Sequence, residues 1–527
     1  MIAKICRRLL PFTLAAGLLL LPCARILLPF YEVNFAPWAL LYGWSVLAAI
    51  IAAGTRCAFV VPRKQTLVIS IALSACFLAS LAAWPSVDLT ELTGLLALVL
   101  LAFAASTQAS LGDGENLWRY SKPVVRVALL LFFALGQTRF FGQQNIASEY
   151  LGLSALLLVF GPRKNRAHYA LLAVDALLSL AALLWMLQAG SRAALLGTAL
   201  TMATLSPPRL RRWAAIPALG LFLLFTVVVL GRLDWQKFQG PQSGKGSFWE
   251  QKAENSRSRL VRWANTVVMI RHHPLGVGPG NYPFEYVPYR KALMQDVDLN
   301  EDIVIRSPHS LPLKLLAEWG VLNCTLLALF IYWALRKSKI PRAAKAVLTF
   351  IVIDGAFASP LEGAYPAALT ALSLGPLISQ GLSSAGRRLF TVPAYAAVAP
   401  LLLALPLMAL HLQGQYLVQH EGMDLNADLI KLERLCGRYP SLWQGCWEGA
   451  RLALSLGEPK KAEAMARRVL TRQPHNYFVL HTLGEALWAQ GREEEACVPW
   501  VRYVRIFERF TRYRDVEKFG CRGAHAD

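Results

Sequence analysis

Apolar residues run along this chain in long blocks rather than in alternation. Stretches of about 17 to 25 mostly apolar residues begin near positions 9, 37, 66, 92, 123, 149, 168, 193 and 213, and again near 311, 346, 366 and 389. A hydrocarbon core about 30 Å thick requires helices of this length, with each backbone group satisfied inside its own segment. The ~10-residue alternation of a transmembrane barrel is not what the blocks resemble. The pattern predicts an all-α protein, a polytopic transmembrane helix bundle of about 12 to 13 spans. Two intervals break it, one over roughly 232–310 and one after about 412. The predicted organisation is therefore transmembrane helices over 1–231, a large polar loop over 232–310, transmembrane helices over 311–411, and a polar tail over 412–527.

The tail repeats itself. Pro440 and Pro474, Ala450 and Gly484, Gly457 and Gly491, and Ala462 and Ala496 are each 34 residues apart, the period of a tetratricopeptide helix pair. The small residue at Ala450 and Gly484 would let two helices approach, and Gly457 and Gly491 would end the first helix of each pair. Two such pairs are few for an independent solenoid, so the tail is expected to lean on the membrane part or on a protein partner.

Composition changes the picture little, but charge orients it. Of 527 residues, 55% are hydrophobic and 17% charged, too apolar a balance for a soluble chain of this size. The net charge of +21 could suggest nucleic acid, yet the basic residues sit in alternate short loops, among them Arg7 and Arg8, Arg163 and Lys164, Arg211 and Arg212, and Arg387 and Arg388. That asymmetry is the positive-inside rule, and it needs no nucleic-acid partner. It puts the N-terminus inside, and an odd number of crossings then puts both the polar loop and the tail outside. The first block has a basic start like a secretion signal, but Leu21-Pro22-Cys23-Ala24-Arg25 is a poor cleavage site, so it reads as an anchor. Cys436, Cys446, Cys497 and Cys521 fall in the tail, where an oxidising compartment would allow two disulfides of undetermined pairing. Cys6, Cys23, Cys57, Cys76 and Cys324 lie in or near spans and read as small packing residues.

Candidate chemistry gathers around the polar loop. Arg257, Arg259 and Arg262 crowd one segment, with Trp263 one helical turn from Arg259; the run is either a solvated face or a bidentate grip on phosphate oxygens. A turn containing Gly276, Gly278 and Gly280 follows. His309, between Pro308 and Ser310, either supports the start of the next helix or serves as general base to a hydroxyl. Arg192, in Gly190-Ser191-Arg192-Ala193-Ala194, is either a snorkelling boundary residue or a cation held for an anion. GPQSGKGS near Gly240 misses the phosphate-loop spacing, and no CxxC, HExxH or carboxylate cluster suggests a metal. His272-His273 is explained as well by a helix C-terminus.

The order FGQQNIASEYLG (141–152), GSRAALLG (190–197), RLVRW (259–263) with HPLGVGPGNY (273–282), then PHSLPLKLLAEWG (308–320), resembles the O-antigen ligase superfamily. That superfamily takes in lipopolysaccharide O-antigen ligases, O-antigen polymerases and bacterial protein O-oligosaccharyltransferases. The likeness covers roughly 130–330 and leaves the tail out. It implies an inner-membrane glycosyltransferase, independent of metal and cofactor, with its loop and tail in the periplasm. Arg192 and Arg259 would bind the diphosphate of an undecaprenyl-diphosphate-linked glycan, and His309 would activate the acceptor hydroxyl. Arg257, Arg262, Asn145, Gly278 and Gly280 would be accessory. Ser310 stands where the family commonly has asparagine. Lipid A-core is the expected acceptor; a pilin-like protein or a second lipid-linked glycan is the alternative. The rival from another class is a flippase or transporter of lipid-linked sugars, which would carry charges deep within several spans; in the sequence they gather at span ends.

Overall fold

A computed structural model of the chain describes residues 2–24, 36–53, 55, 89–109, 114–135, 144–162, 169–189, 191–206, 248–290, 305–337, 340–383, 425–438, 443–506 and 521. Among these the regular structure is helical throughout. The first group comprises α1 (Ile2–Leu20), α2 (Ala36–Ala53), α3 (Leu89–Gln108), α4 (Gly114–Leu135), α5 (Gln144–Phe160), α6 (Tyr169–Ala189) and α7 (Arg192–Leu205). Then come α8 (Phe248–His272), α9 (Tyr282–Glu285), α10 (Leu311–Trp319), α11 (Val321–Lys337), α12 (Arg342–Gly355) and α13 (Ala364–Ser383). The tail supplies α14 (Leu425–Arg438), α15 (Trp443–Ser455), α16 (Pro459–Leu470), α17 (Tyr477–Trp488) and α18 (Glu493–Ile506). The apolar blocks expected near 66, 213 and 389 lie outside the described residues; the other expected blocks fall on helices.

Helices α1 to α5, parts of α6 and α7, and α12 and α13 enclose one apolar core, with Leu14, Tyr42, Trp118, Phe132, Tyr150, Phe350 and Tyr365 fully buried. α3 lies along both α2 and α13, and α7 along α12. Small residues set these approaches: a Cβ on Gly197 would press on Phe350 and Asp354 of α12, and one on Gly152 of α5 would meet Thr198 of α7. Outward, α6 shows Leu177, Leu180, Leu184 and Leu187, each more than half exposed, so apolar side chains cover its surface as well as its core face. α6 is the one described helix long and apolar enough to cross a membrane; α2, α3, α5 and α7 carry shorter apolar runs.

Two features depart from the sequence reading. Charge is not confined to span ends: Arg126 of α4 donates from Nε to Asp175 Oδ1 (2.6 Å) and from Nη2 to Oδ2 (3.0 Å), and Lys122 Nζ lies 3.5 Å from the same carboxylate, inside the packed helices. The block expected from 311 is two helices, broken between α10 and α11 at Gly320, whose φ is +84°. There the chain crosses the glycine-rich turn so closely that a Cβ on Gly320 would strike Leu275 backbone, and one on Gly276 would strike the backbone of Glu318 and Gly320. Only glycine fits such a crossing at positive φ.

In the tail, α15 pairs with α16 and α17 with α18, and Ala450 and Gly484, Gly457 and Gly491, and Ala462 and Ala496 take like places in the two pairs, while Pro440 lies outside the described residues. Gly457 and Gly491 follow α15 and α17 at φ +73°, Ala450 is fully buried, and Gly484 lies against the Trp500 ring. Disulfides join Cys436 to Cys446 and Cys497 to Cys521, a pairing that spacing left open. The tail does lean on the rest of the chain. Tyr477, Leu480 and Tyr503 pack with Phe284 and Val287 of the polar loop, and the Trp443 ring meets Phe284 edge-on at 5.2 Å.

Candidate functional site

Three segments meet at His309. α8 brings Arg259 and Trp263, whose four-residue spacing puts them on one helix face. Trp263 Nε1 donates to the Pro308 carbonyl (2.8 Å), and Arg259 Nη1 donates to the Phe357 carbonyl (2.9 Å) just beyond α12. Leu311 N donates to the Ala358 carbonyl (3.0 Å), and Ser359 Oγ to Ser307 Oγ (3.1 Å), so residues 307–311 and 357–359 are laced together. His309 sits in this knot at φ +54°, the one non-glycine residue with positive φ among those described. A residue with a β-carbon there costs on the order of 1 to 3 kcal/mol and persists only where its surroundings over-determine it, as they do at functional sites. The residue flanking α10 at its start is Ser310, in extended conformation, so His309 does not itself cap the helix, as a residue that merely supported the helix start would.

Arg192 opens α7, and its guanidinium lies near enough to Arg259 for their charges to repel. Burial holds the Arg259 guanidinium below the usual arginine range, Arg262 pushes the same way, and the Asp354 carboxylate opposes both. Arg257 and Arg262 are buried rather than on a solvated face, at 3% and 6% exposure. An anion arriving beside Arg192 and Arg259 would relieve their repulsion, with the guanidinium geometry suited to paired phosphate oxygens.

The remaining expected residues are placed elsewhere. Gly278 and Gly280 belong to the brace on the far end of α10, where Val277 N donates to the Ala317 carbonyl (3.0 Å) and Gly278 N to that of Glu318 (2.9 Å), roughly 13 Å along the helix from His309. Asn145 is exposed on the first turn of α5, next to Ile146, which faces Gly363. His272 and His273 both lie beside Tyr289, and His273 Nε2 is 3.0 Å from its hydroxyl.

Sequence reasoning missed the carboxylates. Asp354 is fully buried on α12 and Glu149 is 5% exposed on α5; Glu149 senses Asp354, and Asp354 senses Arg259. Glu362 lies within electrostatic reach of Glu149 and 3.5 Å from Lys314 Nζ of α10. An acidic residue inside an otherwise apolar block was the available signal for Glu149 and Asp354. Among the described residues, no three His, Cys, Asp or Glu side chains are gathered closely enough to hold a metal ion.

Fold and site together define a helical protein with apolar side chains on the outside of α6 and a cationic, histidine-bearing junction between α7, α8, the start of α10 and the end of α12. Residues 173–328 match the family model described as O-antigen ligase, a stretch that takes in most of α6, α7 to α10, part of α11, and the Arg192, Arg259 and His309 segments. Over this stretch the chain resembles the O-antigen ligase superfamily, whose members are membrane-embedded proteins of the ligase and polymerase type of glycosyl transfer. No curated protein and no solved structure matches it.

Proposed function

We propose that the protein is an inner-membrane glycosyltransferase that moves a glycan from undecaprenyl diphosphate to a hydroxyl of lipid A-core on the periplasmic face. The observation that carries this reading is the meeting of Arg259, fixed by its bond to the Phe357 carbonyl, with Arg192 and with the knot that holds His309. In the reaction, the acceptor oxygen bonds to the anomeric carbon as the bond from that carbon to the diphosphate oxygen breaks. The electron pair leaves with the diphosphate, where Arg192 and Arg259 neutralise it in place of a metal ion, and the hydroxyl proton passes to His309. The apolar spans hold the polyprenyl chain, and the 34-residue repeat makes the tail a tetratricopeptide-like module on the outer side, where its two disulfides are chemically at home.

The acceptor has a second candidate in a protein hydroxyl, favoured by the packing of the tail against the polar loop, since helical repeats bind extended chains. The transport reading draws on charge within the packed helices, and there the Lys122, Arg126 and Asp175 cluster sets two cations against one carboxylate, while Glu149 and Asp354 are buried near the arginine-bearing junction. The deciding experiment incubates purified protein with undecaprenyl-diphosphate glycan and, separately, lipid A-core, a pilin-like protein or a second lipid-linked glycan, without nucleotide. Lipid A-core should gain the mass of the glycan. No gain by any acceptor, with lipid-linked glycan crossing vesicles instead, would overturn the reading.

A further inference from the structure

The turn between α16 and α17 reaches the polar loop with a buried amide relay. Gln473 Nε2 donates to Asn281 Oδ1 (3.3 Å), and both side chains are almost fully buried. Behind Gln473, Asn476 fixes the amide by donating from Nδ2 to Gln473 Oε1 (3.0 Å), while its own Oδ1 accepts from Val479 N and so caps α17. Ahead of it, Asn281 Nδ2 donates to the Val277 carbonyl (2.9 Å), within the turn that Val277 and Gly278 pin to the last residues of α10. α10 is a single short helix, and His309 stands at its other end. A continuous set of bonds thus runs from the tail, through the glycine-rich turn, to the rod that presents the histidine.

We propose that Gln473 and Asn281 are positioning residues for glycosyl transfer, through which the docked tail sets the place of α10 and His309. The tail then acts on the site from the far end of α10 rather than hanging free of it. Carboxamides suit such a relay, because each can donate and accept, so the order Asn476, Gln473, Asn281 and Val277 is directional and fixes every amide orientation. An apolar contact in the same place would hold the tail without fixing the turn's register. Phe284 and Val287 supply the adhesion beside it.

The inference rests on the proposed transferase reading, so its test has one arm that needs no activity. In full-length protein in detergent or nanodiscs, Gln473→Ala should speed amide exchange at Val277 and Gly278 about fivefold or more, while exchange within α1 to α5 stays unchanged. In the second arm, Gln473→Ala and Asn281→Ala should each lower kcat about five- to tenfold, the worth of one buried hydrogen bond, with KM for the lipid-linked donor within about twofold of the parent. The double variant should fall no further than either single one. Leu487→Ala, in the tail's own core, destabilises the tail at least as much and should keep kcat near the parent value. Unchanged exchange at Val277 and Gly278 would overturn the proposal even in an active transferase. So would a kcat loss shared equally by Leu487→Ala. Faster exchange in a protein that transfers no glycan would leave the relay standing and remove the transferase reading instead.

Discussion

At the scale of single residues, the proposed site divides between charge and proton transfer. Arg259 is held by one carbonyl and faces Arg192 and Asp354, so charge without a planar fork should serve it poorly. Arg259→Ala should cost roughly 10² to 10³ in kcat, as loss of a preorganised charge-stabilising donor does. Arg259→Lys should keep a measurable part of the rate, and equal activities of the two variants would remove the fork argument. For His309, transfer by a folded His309→Asn protein that still binds donor should fall about 10² to 10⁴-fold. Asparagine tolerates positive φ well, so strain cannot explain such a loss, and near-parent turnover would take the imidazole out of the mechanism.

Glu285 is a different case, because burial pushes its carboxyl up to about 7 from the ordinary 4.5. The folded state then keeps a proton that the unfolded chain releases between about pH 4.5 and 7, so stability falls as pH rises through that window. Glu285→Gln should leave the thermal transition unchanged near pH 4 and raise it near pH 8. An equal shift at both would contradict the burial argument.

At the scale of elements, the break between α10 and α11 is the feature on which the loop turns. Gly276 and Gly320 cross backbone to backbone, and Val321 N donates to the Pro274 carbonyl (2.9 Å), so the end of α8, the glycine-rich turn and the two helices are fixed together. Gly320→Ala adds a Cβ both at positive φ and into Leu275, and should lose well over the ~1 kcal/mol of the conformational term alone. The expected result is a lowered thermal transition with weaker protection of α10 amides. A variant as stable as the parent would mean that the crossing opens without cost. The four-residue spacing of Arg259 and Trp263 was legible as one face of one helix, and the histidine before an apolar block was legible as a helix start. Their targets were not, since Phe357 lies 98 positions from Arg259.

For the whole molecule, the decisive feature is that the tail is closed by two disulfides and docked through Tyr477, Leu480 and Tyr503. Each bridge closes a short loop and should contribute about 2 to 4 kcal/mol to the tail by restricting its unfolded state. Reduction is expected to lower the melting of α14 to α18, followed by hydrogen exchange, while the core around Tyr150 and Phe350 keeps its protection. If both regions lose protection together, tail and helix core fold as one cooperative unit.

Local periodicity by itself exposed the helical class and the 34-residue spacing in the tail, and the family resemblance, rather than any period, singled out Arg192, Arg259 and His309. The helical class and the short motifs are written in neighbours a few positions apart, which hydrophobic spacing and residue chemistry expose directly. Only the tertiary structure decided that Val277 and Gly278 brace the far end of α10, that Asp354 lies buried within reach of Arg259 and Glu149, and that Gln473 reaches Asn281. It also decided which cysteines pair. These are contacts between residues far apart in the chain, and no period or local propensity records them. They exist because a buried amide must find its partners, and a buried carboxylate its neighbouring charges, among the groups the fold brings beside it, and those neighbours are set only once the helices have packed.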